Sequence, residues 1–279
     1  MKRMMVYMMV FILIGCNQSQ VKTKNIWSPE ITKLKGNVKT VKVSVYEAID
    51  ESGTVTKGRL NHTLISKYDR SGNKTETLRF DTGGGLTEMY RYKYDSYNNL
   101  IERSSFNSAG NQIQKDTYRY DENRYLIENE KHNHFLNQHT TSYCEYDKKG
   151  REKKVIRCDS DGEIQATRTF SYDSQGNKSQ TFEDIEYGYR SSSKYVYDAN
   201  ANEIESFDYD SEGRIKTRHA TAYDHNNNII KRVSYNSDGS VHRSNGYAYR
   251  YDRKGNWIRK TEYQNNIPEA IRIREIEYY

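Results

Sequence analysis

The sequence predicts an all-β protein, an antiparallel β-meander of about sixteen or more strands built from a 26-residue repeat, its sheet open or partly rolled. Three observations carry this. Tyr-Asp recurs at Tyr68-Asp69, Tyr94-Asp95, Tyr120-Asp121, Tyr146-Asp147, Tyr172-Asp173, Tyr197-Asp198, Tyr223-Asp224 and Tyr251-Asp252, with spacings of 26, 26, 26, 26, 25, 26 and 28. Periods of this length mark repeat architectures. A weaker copy lies twelve residues on, at Phe80-Asp81, Phe106-Asn107, His132-Asn133, Cys158-Asp159, Tyr209-Asp210, Tyr235-Asn236 and Tyr263-Gln264. Between these punctuation marks the residues alternate, as in Tyr90-Arg-Tyr-Lys-Tyr94, where three tyrosines share one face of a strand and Arg91 and Lys93 the other.

Each unit therefore reads as strand, turn, strand, turn. In Tyr172-Asp-Ser-Gln-Gly-Asn177 the Asp173 side chain can bond the backbone two residues on, and Gly176 can take the left-handed position of a hairpin bulge. Asn98 and Asn227 tolerate the same position, whereas Arg124 and Ala201 suit it poorly and predict turns of a different kind. In the fifth unit Asp184-Ile185 stands at the second turn, which is degenerate. Val38 to Tyr46 opens the sheet, Glu51-Ser-Gly-Thr54 makes the first turn, and Ala270 to Arg274 alternates again in the last strand.

Apolar residues make up only 34% of the 279-residue chain, and 26 of them are tyrosines. So little Leu, Ile and Val would suit a disordered chain, but tyrosine favours strands and brings much area to bury. The formal net charge is +6, falling to about +4 if Lys2 and Arg3 leave with a leader, and it is scattered. No block of like charge forms a nucleic-acid footprint.

The N-terminus has its own grammar. Met1-Lys2-Arg3 is a cationic start, and Met4 to Ile14 is an unbroken apolar run of eleven residues. That is too short to span about 30 Å of hydrocarbon but suits a signal-peptide core. It ends in Leu13-Ile14-Gly15-Cys16, which resembles a bacterial lipobox with Cys16 as the acylation point. The expected organisation is a signal peptide at 1–15, a lipid-anchored tether at 16–37 and a repeat domain at 38–279. In lipoproteins of this kind several acyl chains make attachment stable, and Asn17 after the lipid site fits outer-membrane sorting.

The repeat resembles the RHS/YD-repeat family, whose pattern is Tyr-Asp-x-x-Gly-Asn followed by a strand. The opening Leu34-Lys-Gly-Asn-Val-Lys39, the Gly255-Asn-Trp257 step and the closing Arg274-Glu-Ile-Glu-Tyr-Tyr279 are similar to small YD-repeat lipoproteins of Gram-negative bacteria. The resemblance runs from about residue 34 to the end. Larger members wind their repeats into hollow shells around a toxin; eight units are expected to be too few for closure.

No catalytic motif is found: no nucleophile elbow, no HExxH, no Walker loop. Gly83-Gly84-Gly85 falls in a second turn with no helix expected after it. Asp159-Ser-Asp161-Gly162-Glu163 faintly suggests a calcium loop but sits where every repeat places turn residues. His132, His134 and His139 lie near one hairpin, where three imidazoles could make an open zinc site, but decay of the third repeat explains them as simply. Cys144 and Cys158 are expected to stay unpaired, because strand rise separates them by more than about 10 Å.

These features lead us to expect no enzyme, no cofactor and no metal. The expectation is an outer-membrane lipoprotein, held by its lipid anchor, whose sheet is a binding or scaffolding module for a glycan or an envelope protein. An immunity-type partner that holds a toxin is the alternative. The candidate ligand-binding residues are the tyrosine ladder: Tyr92, Tyr94, Tyr118, Tyr120, Tyr172, Tyr195, Tyr197, Tyr249 and Tyr251, with Phe170 in the same row. Two readings of the ladder stand: it is the core, or it is an exposed platform that stacks an extended polymer.

Overall fold

The computed structural model describes residues 34–279. The leader and Cys16 lie outside the described residues. Eighteen strands follow in order: β1 (Val38–Glu51), β2 (Thr54–Tyr68), β3 (Lys74–Phe80), β4 (Leu86–Tyr94), β5 (Leu100–Asn107), β6 (Gln112–Tyr120), β7 (Leu126–Asn133), β8 (Gln138–Tyr146) and β9 (Glu152–Cys158) make the first half. The second half is β10 (Ile164–Tyr172), β11 (Lys178–Ile185), β12 (Tyr189–Tyr197), β13 (Glu203–Tyr209), β14 (Ile215–Tyr223), β15 (Ile229–Tyr235), β16 (Val241–Tyr251), β17 (Trp257–Gln264) and β18 (Ile267–Tyr278). The degenerate fifth unit is where the pattern breaks, and a 3₁₀ turn at Glu186–Gly188 replaces the second hairpin turn there.

Each strand pairs antiparallel with its neighbours in sequence, and β1 pairs with β18 as well as β2. The sheet is thus a closed barrel, where an open or partly rolled sheet was expected. A strongly twisted sheet rarely passes about ten strands without curling, and closure removes both unpaired edges. The sequence supplies the seam: β1 and β18 are 14 and 12 residues long, against 7 to 9 in most of the repeat strands. They pair from Val38 opposite Tyr278 to Glu47 opposite Ala270.

Most of the buried apolar side chains gather at this seam, Cys158 and Ala166 in β9 and β10 being the others. Val38, Val41, Val45 and Ile271 are buried, Ile271 completely. Elsewhere the mid-strand buried positions are small and polar: Ser104, Asn129, Thr141, Thr181, Ser206 and Thr221, together with Asp116, which pairs with Arg103 at 3.3 Å. Both faces of the sheet carry charge. Tyr92 faces the same way as its partner Arg103, and Lys93 the opposite way with Glu102, to which it is ion-paired at 3.0 Å.

The turns obey one rule. In each Tyr-Asp turn the Asp carboxylate accepts backbone N–H groups, as Asp173 Oδ1 does from Gln175 and Asn177 at 2.9 Å each. The fourth turn residue has positive φ whether it is Gly176 (88°), Asn98 (64°), Arg124 (67°) or Ala201 (59°). Arg124 and Ala201 thus take the same turn as the glycines, contrary to expectation, because the Asp hydrogen bonds and flanking strands fix it. Asp121 still accepts from Tyr125 N at 2.8 Å and Asp198 from Asn202 N at 2.9 Å.

Because even strands always turn into odd strands through Tyr-Asp turns, all eight of those turns lie on one rim. The second turns, with the Ser52-Gly53 turn, lie on the other. The chain enters at the Tyr-Asp rim. Residues 35–37, placed in the tether by the sequence reading, are bonded there: Lys35 N–H donates to Asn256 Oδ1 at 2.7 Å, and Asn37 O accepts from Tyr279 N at 2.9 Å.

Candidate functional site

The tyrosine of each Tyr-Asp pair ends an even strand, pointing to the face it shares with the ladder. In six of the eight pairs its hydroxyl reaches back to the first carbonyl of the preceding odd strand. Tyr94 donates to Lys74 O, Tyr120 to Leu100 O, Tyr146 to Leu126 O, Tyr172 to Glu152 O, Tyr197 to Lys178 O and Tyr223 to Glu203 O, all within 2.7–2.9 Å. Each of these six tyrosines therefore latches the turn that precedes its own hairpin.

The eighth unit shows the rule by shifting it. Its Tyr-Asp spacing is 28, and the latch passes to Tyr249, 26 residues after Tyr223, which donates to Ile229 O at 3.0 Å. Tyr249 thus matches Tyr120 rather than Tyr118 in register. Tyr251 instead bonds the Asp224 carboxylate and accepts from Asn228 Nδ2. Tyr278 repeats this pattern on Asp252 and Asn256 at 2.9 Å each, and Tyr279 donates to Tyr68 O at 2.6 Å across the seam.

The other row, two residues earlier, bonds neighbouring side chains. Tyr92 engages Thr77, Tyr118 engages Asp116, and Tyr195 lies 3.3 Å from Thr181 Oγ1. The rings are half-buried. Burial pushes the Tyr120, Tyr172 and Tyr197 hydroxyls up to about 12, and those of Tyr94, Tyr118, Tyr146 and Tyr251 higher still. Cations lie over several rings: Arg151 is 4.4 Å from the Tyr172 centroid and Lys178 is 3.8 Å from that of Phe170. Burial also presses Lys74, beside Tyr68 and Tyr92, down to about 8, with Arg274 adding to the effect.

Tyr118 and Tyr120 line a groove of about 650 Å³ on the Tyr-Asp rim, with Asp95, Tyr97, Ile101 and Arg124 among its other walls. Arg124 lies 5.4 Å from the exposed ring of Tyr97. A second groove, at the opposite rim, is lined by Ile164, Phe182, Ile185 and Arg190.

The two rims differ in charge, which the sequence reading missed. The tips of the Tyr-Asp turns carry the exposed cations Arg70, Arg124, Lys148, Lys149, Arg253 and Lys254 beside exposed Glu122 and the eight turn aspartates, so this rim is close to charge balance. The other turns are acidic, with exposed Glu51, Asp161, Glu163, Glu212 and Asp238 against exposed Arg214. Along the chain the two sets interleave, so the charge looks scattered. Sorting the turns into first and second of each unit would have separated them.

Other sequence candidates resolve as follows. His132, His134 and His139 do come together, with ring centroids 4.2 and 6.0 Å from His132, but among the described residues no group of His, Cys, Asp or Glu is arranged to hold a metal. Asp159 Oδ1 accepts from Asp161 N and Glu163 N at 3.0 Å, as a turn residue does. Gly84 holds a turn with φ of 83°. Cys144 and Cys158 are free. Cys158 sits opposite Thr141, three residues from Cys144, so the two thiols point to opposite faces.

No family model matches the chain, and no curated protein does. Solved structures are similar to the chain at low identity. A porin-like protein from Bacteroides uniformis is 12% identical, covering 88% of this chain and 98% of its own, with a TM-score of 0.46. A porin-like protein from Bacteroides vulgatus is 12% identical over 87% of this chain and 99% of its own, with a TM-score of 0.31. A TcdB2-TccC3-Cdc42 structure is 11% identical over 88% of this chain and 16% of its own, also with a TM-score of 0.31.

Proposed function

We propose that this chain is an outer-membrane lipoprotein, anchored through Cys16, whose barrel is a water-immersed, non-catalytic binding or scaffolding module of the YD-repeat type. The observation that carries the reading is charge on both faces of the wall. A barrel that crosses a bilayer needs an apolar outer band about 25 Å tall and strands of about 9–11 residues. Here one face bears Arg103, Asp116 and Lys131 and the other Lys93, Glu102, Lys115, Arg119 and Glu128, on strands of 8 or 9 residues. Neither face suits lipid, so attachment falls to the N-terminal segment, and the Leu13-Ile14-Gly15-Cys16 box supplies it.

The tyrosine ladder serves this module as frame, since its hydroxyls are spent on main-chain carbonyls and neighbouring side chains. Binding of a glycan or an envelope protein then falls to the rims and their grooves. Cell fractionation tests the anchor. The wild-type chain is expected in the membrane fraction with an acylated N-terminal cysteine by mass spectrometry. Cys16→Ser is expected unprocessed or released; a Cys16→Ser chain still cleaved after Gly15 and still fractionating with membranes would overturn the reading. Tyr118→Ala tests the ladder: loss of glycan retention at an unchanged melting temperature would make the tyrosine face a platform after all.

A further inference from the structure

We propose that the groove at the degenerate fifth unit takes an aromatic side chain, with a neighbouring lysine or arginine, from a basic polypeptide. The inference rests on the binding-module reading above and names the chemistry of the partner. Three observations support it.

The first is a register. Three sister units place a ring and a cation together beside their second turns. Arg91 lies 5.4 Å from the Phe106 centroid, Lys194 5.4 Å from that of Tyr209 and Arg218 4.9 Å from that of Tyr235. Each ring stands near the end of an odd strand, and its cation on the even strand before it, 15 or 17 residues earlier. The ring positions pair across the sheet with Met89, Ser192 and Arg218, and the matching pair in the fifth unit is Asp184 with Thr167. There the ring is replaced by Asp184, and the two cation positions by Thr167 and Thr169. The groove of about 530 Å³ stands at these three residues. Its apolar walls, Ile164, Phe182 and Ile185, are 56%, 48% and 38% exposed. The site thus lacks the ring and the cation that its sister units supply from within.

The second is charge. The hairpin ends that frame the groove carry Asp159, Asp161, Glu163, Asp184 and Glu186 against Arg157 and Arg190, while Glu183 is matched by Arg168 at 2.6 Å. Around the rest of this rim, the residues between strand ends add Asp81, Asp210, Glu212 and Asp238 against Arg214 and His134. The acids are concentrated here in a chain of formal net charge +6. The third is the continuation of apolar surface. Exposed Phe135 and Leu136 stand on one neighbouring hairpin of this rim and exposed Ile215 on the other. An apolar slot within an acidic border complements a basic segment with an aromatic anchor. An uncharged glycan leaves the acids unmatched, and so does the Tyr-Asp rim of a second copy, which is close to charge balance.

The test titrates the full lipidated chain, in neutral detergent, with the N-acetylated peptide amide Lys-Lys-Phe-Lys-Lys by calorimetry. Lys-Lys-Ala-Lys-Lys and Glu-Glu-Phe-Glu-Glu read the ring and the charge separately. The expected result is saturable binding of the first peptide, with either control weaker by about tenfold or more. Asp184→Tyr/Thr169→Lys returns the ring and cation of the sister units to the chain and fills the groove, so it should abolish binding without lowering the melting temperature. Asp161→Lys/Glu163→Lys, on an exposed turn, should weaken binding by about tenfold or more. Lys148→Ala, on the other rim, should bind as wild type, and circular dichroism checks that each variant folds. No binding of Lys-Lys-Phe-Lys-Lys, equal binding of the phenylalanine and alanine peptides, or a folded Asp184→Tyr/Thr169→Lys chain that still binds would overturn the proposal. Self-association abolished by the same double variant would make a second copy the occupant and overturn it as well. None of these outcomes alters Cys16-dependent fractionation, which tests the anchored reading on its own.

Discussion

A tyrosine hydroxyl that reaches a main-chain carbonyl one strand back ties two hairpins together and dries the ring beneath it. Tyr120, bonded to Leu100 O at 2.8 Å, does both. Tyr120→Phe should remove only the hydrogen bond and cost about 1 kcal/mol. Tyr120→Ala should remove the ring as well and cost about 3 kcal/mol. Thermal melts of the pair separate the two contributions, and a Tyr120→Phe variant as stable as wild type would show that the latch contributes nothing. The sequence made the tyrosines visible by their period, but not their partners. A hydroxyl 20 residues from its acceptor leaves no mark on local alternation. Tyr249 is the instructive case: the motif points to Tyr251, yet constant spacing from Tyr223 points to Tyr249, and geometry follows the spacing. The separation of Cys144 from Cys158, by contrast, was legible from strand rise, while their opposite facing comes from the register.

At the scale of the element, the hairpin turn governs. Its Asp is read directly from the sequence, and so is the left-handed position, which holds Gly or Asn in most turns. Arg124 and Ala201 were misread because residue preference was weighed without the Asp hydrogen bonds that fix the turn. They hold positive φ at a cost, so Arg124→Gly and Ala201→Gly should each stabilise by about 1 kcal/mol. Denaturant unfolding measures this; no gain would mean that the turn relaxes around the side chain. The aspartates also set an acid limit. Hydrogen bonds hold them below the ordinary carboxylate value of 3.8, chiefly from the side chains of Asn99, Asn202 and Tyr251 for Asp95, Asp198 and Asp224, and chiefly from backbone amides for Asp147, Asp173, Asp210 and Asp252. A lowered folded pKa contributes stability that is present above the unfolded value and lost as pH falls through the folded one. The melting temperature should therefore hold down to about pH 4 and drop below it, and Asp147→Asn should flatten part of that drop.

For the whole molecule, closure was the feature that the repeat concealed. Counting units suggested too few to close, but closure depends on strands and on the two ends. The ends lie outside the repeat, in β1 and β18, where Val41, Val45 and Ile271 give the barrel its apolar seam. Ile271→Ala, at a fully buried position, should cost about 3 kcal/mol. An equivalent cut at half-exposed Ile204 should cost less than about 1.5 kcal/mol. Equal losses would argue against the seam as the keystone. The charge difference between rims was likewise hidden, since it exists only once alternate turns are gathered at opposite ends.

The claim that tyrosine latches hold the barrel is tested most directly by alkaline titration, following tyrosinate absorbance and far-ultraviolet circular dichroism together. Burial raises Tyr120, Tyr172 and Tyr197 from 10 to about 12. Stability from a raised pKa is complete below the unfolded value of 10 and is lost as pH rises through the folded value. Lys74 acts in the opposite sense: pressed down to about 8, it costs stability at neutral pH, and that cost fades between about 8 and 10.5. The sheet is expected to stay intact to pH 10, then to melt in one cooperative transition approaching pH 12 in which tyrosinate appears as the β signal disappears. Most tyrosines ionising near pH 10 while the sheet stays folded would contradict it.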